Sequence, residues 1–154
     1  MTMRPTHFIL DVDGVMTDGR FYYTEEGKIM KRFGPHDGDG LKLIRDKVAV
    51  QFISADHRGF SISKKRIFDD MCYPLTLVSE SERLEYVTSL GPTTAFMGDG
   101  IFDAPVIQAA LCGIAPRSAR PEARLAADFV TASKAGEGAV LDACQYILRK
   151  YFND

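Results

Sequence analysis

An apolar run that ends abruptly in two carboxylates constrains this chain more than any other feature. Phe8-Ile9-Leu10 leads into Asp11-Val12-Asp13-Gly14, and the segment closes with Thr17-Asp18-Gly19. The run is apolar enough for a buried strand, and Gly14 suits the bend that follows. Asp11 and Asp13 then stand where an α/β fold exposes residues to a ligand. An Asp at such a strand end can be a nucleophile. Its neighbour two residues on can serve as acid and base while both help to hold a divalent cation.

The rest of the chain repeats the theme of apolar runs alternating with helix-like stretches. Strands are expected at Val48 to Ser54, Tyr73 to Val78, Thr93 to Asp99, and in the short runs CGIA and ADFV. Helices are expected at Gly40 to Lys47, Gly59 to Asp70, Ser79 to Ser89 and Ala104 to Leu111. A closing helix carries Val140, Leu141, Cys144, Ile147 and Leu148 on one face. This order predicts a layered α/β sheet, mainly parallel and flanked by helices. Arg20 to Phe33 breaks the alternation and reads as a β-hairpin turning at Glu25-Glu26-Gly27-Lys28. It follows the first acidic segment directly, so it projects near that site. Its aromatic residues Phe21, Tyr22, Tyr23 and Phe33 either pack on the body or build a subunit interface.

At 154 residues the chain fits a single domain able to bury a core without disulfides. The 21 acidic and 19 basic side chains form no basic tract beyond Lys64-Lys65-Arg66, which argues against nucleic acid as a partner. Cys72, Cys112 and Cys144 are odd in number and widely spaced, and read as small buried hydrophobes of a reducing compartment. The N-terminus lacks an apolar stretch of signal-peptide type and no window has the apolar length of a membrane span. A cytoplasmic protein with no membrane partner is expected.

A second acidic cluster, Met97-Gly98-Asp99-Gly100 with Asp103, follows another buried-type strand. Residues at the carboxyl ends of parallel strands converge on one crevice, so Asp11, Asp13 and Asp99 can gather around a hard cation, with Mg2+ the expected ion. Carboxylates crowded without a cation would repel one another. Ser54 ends its strand, where its hydroxyl and the following backbone N–H groups can hold phosphate oxygens. Arg83 supplies the positive charge that a transferring phosphoryl group requires.

Taken together, Asp11-Val12-Asp13-Gly14, Thr17-Asp18-Gly19, Ser54, a basic residue at 83, and Gly98-Asp99-Gly100 with Asp103 resemble the haloacid dehalogenase superfamily of phosphatases. More narrowly they resemble its small capless branch, which includes the 3-deoxy-D-manno-octulosonate 8-phosphate phosphatases. The likeness extends over the hairpin, Lys31 to Ile44, Cys112 to Thr131 and the GEGAV segment. It implies a Rossmann-like fold and Mg2+-dependent hydrolysis of a small sugar or sugar-acid phosphate. Asp11 would form an aspartyl-phosphate, and Asp13 would protonate the leaving alcohol and later activate water. Mg2+ would sit between the Asp11 carboxylate, the Asp13 backbone carbonyl and Asp99, with Asp103 supporting the metal shell and Ser54 and Arg83 binding phosphate. The interval from Asp13 to Ser54 is too short for a separate cap, and the resemblance implies a homotetramer in which neighbouring subunits help to close the site.

The chain departs from the family at several points. Arg83 stands in place of the usual Lys, and Gly98-Asp99-Gly100 lacks the second carboxylate of the common GDD. Ala55-Asp56 replaces the usual Gly-Arg after the phosphate-binding hydroxyl, where Arg58 could restore the charge. His36 and Glu137 occupy places where the family has arginines, which weakens recognition of a sugar-acid carboxylate. His36, Arg58 and His57 are candidates to touch the sugar, whereas His7, at the start of its strand, is structural. The competing reading is a catalytically weak or inactive relative that serves as a binding or assembly module. A receiver domain and a haloacid dehalogenase proper fit less well: the first has its acceptor on a later strand, and the second has no use for Asp13 and Mg2+.

Overall fold

The structure, a computed structural model, describes residues 3–153. Six strands form one sheet in the order β5-β4-β1-β6-β7-β8, every neighbouring pair parallel. They are β1 (His7–Asp11), β4 (Ala49–Ser54), β5 (Leu75–Leu77), β6 (Thr94–Met97), β7 (Cys112–Ala115) and β8 (Phe129–Val130). The central strand β1 is apolar on consecutive residues because both of its faces are covered. Phe8 and Leu10 face one core with Phe52, Leu41, Ile44, Val140 and Ile147. Ile9 faces the other with Ile53, Phe96, Val87, Val106 and Ile107.

Six helices cover the sheet: α1 (His36–Ile44), α2 (Phe60–Lys64), α3 (Arg83–Thr88), α4 (Ala104–Ala109), α5 (Pro121–Ala126) and α6 (Ala139–Tyr151). Helix α1 begins four residues before the expected start, and two interior glycines, Gly38 and Gly40, explain why propensity hid it. Packing overrides propensity there: a Cβ on Gly40 would lie 2.6 Å from the Cα of Leu141, so the glycine lets α1 and α6 touch backbone to backbone. The stretch Lys65–Asp70 continues α2 in π geometry. Helix α5 was not expected; it is short and starts on Pro121, a residue suited to a first turn. No helix among the described residues is long and apolar enough to cross a membrane.

Asp37 ties α1 to the beginning of α6. It is fully buried, and its Oδ1 accepts the Val140 backbone N–H at 2.9 Å. The residue preceding α6 is Gly138, which has no side chain to cap the helix, so a residue distant in sequence does so instead. Asp37→Ala is therefore expected to lower stability by about 1–2 kcal/mol, a fall of about 4 °C in the thermal midpoint of a chain this size. A melt unchanged within 1 °C would show that α6 needs no such cap.

The remaining strands, β2 (Thr17–Thr24) and β3 (Gly27–Phe33), form an antiparallel hairpin that starts three residues earlier than expected. Only one of its aromatic residues packs on the body. Phe33 packs against the core, while Phe21, Tyr22 and Tyr23 are exposed. One cysteine departs from expectation: Cys112 and Cys144 are buried, but Cys72 is exposed, in the turn that follows the π segment, with φ of 65°.

Candidate active site

Register places three chain segments side by side at the carboxyl end of the sheet. Asp11 ends β1 opposite Ile53 of β4, and Leu10 lies opposite Met97 of β6. Ser54 therefore ends the strand on one side of Asp11, and Gly98-Asp99 leaves the strand on the other. After β1 the chain turns at once: the Val12 carbonyl accepts the N–H groups of Val15, Met16 and Thr17 at 2.9–3.2 Å. The buried Thr17 hydroxyl accepts the Gly14 and Gly19 N–H groups, each at 3.1 Å. Gly14 has φ of 82°, and a Cβ there would stand 1.8 Å from Oδ2 of Asp99. A glycine is required both by the backbone and by the carboxylate that fills its side.

Asp11, Asp99 and Asp103 each offer a carboxylate oxygen within 4.8 Å of the others. Arg83, on the first turn of α3, reaches this group from the second core: Nη1 lies 2.6 Å from Asp103 Oδ1 and 3.4 Å from Asp11 Oδ2. The other Asp103 oxygen accepts the N–H groups of Asp99 and Gly100 at 2.9 and 3.0 Å, which fixes the loop after β6. Burial raises Asp11 well above the usual carboxylate range, with Asp103, Asp99 and Asp13 adding to the effect and Arg83 opposing it. Burial and the neighbouring Asp103 push Asp99 up to about 7. Burial works against the Arg83 charge too, but Asp11 and Asp103 outweigh it and raise its pKa. One guanidinium does not balance this many carboxylates. Anionic oxygen donors short of positive charge fit a hard divalent cation.

The hairpin contributes what sequence reasoning missed. Lys31 has a fully buried side chain whose Nζ lies 2.9 Å from Asp13 Oδ1, 2.9 Å from Asp56 Oδ2 and 2.8 Å from the Ser63 hydroxyl. Lys28 Nζ lies 2.7 Å from the same Asp56 oxygen and 3.9 Å from the centre of the Phe21 ring. Asp56, the acid whose charge called for a partner, thus takes two from β3 rather than Arg58. Burial alone would raise Asp56, but the two lysines and the Gly59 N–H hold it at about 2. Its contribution to stability is complete above its ordinary pKa and is lost as the pH falls toward 2.

These groups surround a cavity of about 300 Å³ onto which Asp11, Asp13, Asp99, Asp103 and Arg83 open. Phe21, Lys28, Asp56, Glu80 and Phe102 also line it. Ser54 is fully buried behind the cavity lining, and its hydroxyl oxygen accepts the Asp56 N–H at 3.1 Å. His36 begins α1, is exposed, and stands 3.9 Å from Asp39. His57 and Arg58 are exposed in the loop after β4. None of these three lines the cavity formed by the described residues. Glu137 lines a separate cavity with Asp18, Arg20, Arg32 and Lys134. His7 sits at the opposite end of β1, its Nδ1 3.0 Å from the Thr6 hydroxyl.

No protein-family model matches the chain. A 3-deoxy-D-manno-octulosonate 8-phosphate phosphatase of Escherichia coli is 30% identical over 152 residues, covering 91% of this chain and 77% of the relative. Its counterpart in Haemophilus influenzae is 31% identical over 147 residues, covering 92% of this chain and 81% of the relative. This chain belongs to that phosphatase family. The cobalt-bound structure of the deoxy-D-mannose-octulosonate 8-phosphate phosphatase from Haemophilus influenzae superposes with a TM-score of 0.80 at 28% identity, covering 95% of this chain and 88% of that one. The six-stranded sheet with its flanking helices is accordingly a haloacid dehalogenase fold, as the resemblance implied.

Proposed function

We propose that this protein is a Mg2+-dependent phosphomonoester hydrolase that acts on a small sugar phosphate or sugar-acid phosphate through an aspartyl-phosphate on Asp11. The observation that carries this reading is the placement of Asp11: it opens to the cavity at the end of the central strand, beside Arg83 and within the carboxylate cluster. The substrate of the relatives, 3-deoxy-D-manno-octulosonate 8-phosphate, belongs to this class.

Asp11, Asp99 and the Asp13 backbone carbonyl would hold Mg2+, supported by Asp103. Bound there, the ion neutralises the carboxylates and takes up part of the phosphoryl charge. Arg83 adds fixed positive charge, and its Nε is buried with no hydrogen-bond partner among the described residues, a donor ready for a phosphoryl oxygen. The Ser54 hydroxyl keeps its own proton to donate. Asp11 attacks phosphorus as the ester oxygen departs and takes a proton from Asp13. Asp13 then removes a proton from water, which attacks the Asp11 phosphate; inorganic phosphate leaves and the free carboxylate returns. Lys31 holds the Asp13 carboxylate in place throughout.

The chain acts as one domain in which the hairpin stands in place of a cap. The exposed Phe21, Tyr22, Tyr23, Ile29 and Met30 support a homotetramer built on hairpin contacts, with neighbouring subunits closing the site. The unpaired Cys112 and Cys144 thiols support a cytoplasmic setting.

Phosphate release from a panel of sugar phosphates and sugar-acid phosphates tests the reading. Turnover is expected with Mg2+, is expected to stop on adding EDTA, and is expected to resume with excess Mg2+. Folded protein that binds Mg2+ calorimetrically yet turns over nothing would sink it in favour of a binding module.

A further inference from the structure

Among the described residues of one protomer, the cavity holds no cation to spare for a second anionic group on the substrate. Three cationic side chains reach it or its wall, and each is already matched. Arg83 lies between Asp11 and Asp103 and serves the phosphoryl end. Lys31 is enclosed by Asp13, Asp56 and Ser63. Lys28, with a side chain only 10% exposed, is held by Asp56 on one side and the Phe21 ring on the other. Asp56 is itself fixed, because its second oxygen accepts the Gly59 N–H at 3.1 Å. What remains for the leaving group within the protomer is the rest of the lining: the half-exposed rings of Phe21 and Phe102, and the exposed Glu80. Glu80 has no ion-pair partner among the described residues.

We propose that Asp56 sets the substrate class: by occupying Lys28 and Lys31 it selects phosphomonoesters of neutral sugars or polyols over those of sugar acids. This narrows the hydrolase reading and rests on it. A neutral polyol places hydroxyl groups near Glu80 and Lys28 and its carbon skeleton along the two rings. A carboxylate entering the same space meets Glu80 and Asp56 and must displace Asp56 from Lys28 to find a counter-charge. Discrimination of this kind comes from a built-in repulsion rather than from a stronger contact to the favoured ligand.

D-glucitol 6-phosphate and D-gluconate 6-phosphate test the proposal, since they share chain length and phosphate position and differ in the carboxylate at the far end. Each is titrated as a competitor of the panel ester that the wild-type protein hydrolyses fastest, in saturating Mg2+. The glucitol ester is expected to inhibit about tenfold more tightly than the gluconate ester, the scale of one charge-assisted contact in a partly dry site. Asp56→Asn releases Lys28, and the preference is expected to shrink about tenfold because the gluconate ester gains. Adding Lys28→Met to that variant is expected to abolish the gain. A loosened hairpin would weaken both esters alike, so an Asp56→Asn variant with an unchanged ratio overturns the proposal. It is overturned equally by a wild-type protein that prefers the gluconate ester, or by failure of both esters to compete. A panel with no turnover at all instead removes the hydrolase reading beneath it.

Discussion

Replacing Asp11 by Asn is expected to lower phosphate release by at least about a thousandfold, because the amide cannot form the covalent intermediate of the proposed mechanism, which divides the hydrolysis into two easier steps. Stability is expected to move the other way. Burial raises the Asp11 pKa well above its ordinary value, so the folded protein holds that proton more tightly than the unfolded chain does. As the pH rises through the interval between the two values, the folded state loses stability, since its buried carboxylate must ionise beside Asp99 and Asp103. Asparagine has the same shape and no charge. In EDTA at pH 7.5 the Asp11→Asn protein is expected to melt no lower than wild type, and at excess Mg2+ its advantage is expected to shrink as the cation balances the wild-type cluster. Acid-quenched phosphoprotein should be trapped from the wild type and be absent from the variant. Turnover within tenfold of wild type would remove Asp11 from the chemistry.

The opposed effects follow from what an active site of this kind demands. Three carboxylates within 4.8 Å cost stability when the chain is alone. In the proposed reaction the same arrangement would give a cation its ligands and a phosphoryl group its nucleophile. The clash between local comfort and function made the site legible in the sequence: Asp11, Asp13, Asp99 and Asp103 each interrupt or follow apolar runs, where packing alone would favour something else. The parallel sheet was legible for a related reason. Every strand of that sheet except the short β5 and β8 is an apolar run bounded by turn residues, and their alternation with helices leaves few other solutions.

Other features were hidden by tertiary effects that no single segment records. Helix α1 carries glycines that helix propensity disfavours, and only the approach of Leu141 explains them. The lysines of β3 are more instructive. Lys28 and Lys31 are three residues apart, so strict alternation would point them to opposite faces. The hairpin pairs Tyr22 with Met30 but Tyr23 with Lys28, leaving Ile29 as an extra residue on β3. That bulge reverses the alternation and brings both ammonium groups to the same Asp56 oxygen. The acid at 56 was the one visible signal, since a carboxylate placed beside an anionic substrate calls for a partner. The structure supplies that partner from the hairpin rather than from the nearby Arg58.

Arg83 stands where the resemblance implies a lysine, and its replacement separates charge from shape. Its guanidinium spans two carboxylates, one belonging to Asp11, the proposed nucleophile, and one to Asp103, which fixes the loop after β6. Arg83→Ala removes the only cation in contact with Asp11 among the described residues and leaves Asp103 half-paired. The expected result is a loss of about 10²–10³ in kcat, comparable to removing a fixed donor from a charge-stabilising site. Arg83 also lowers the Asp11 pKa, so without it the nucleophile ionises at higher pH. The acid limb of the kcat/KM profile, measured in saturating Mg2+, is therefore expected to move upward in the Ala variant. Arg83→Lys restores the charge at a single point and is expected to stay within about tenfold of wild type, with its acid limb near the original position. An alanine variant within threefold of wild type across the whole profile would mean that Arg83 only ties Asp103 to α3. A lysine variant as impaired as alanine would show that the two-carboxylate span, not the charge, is what the reaction uses.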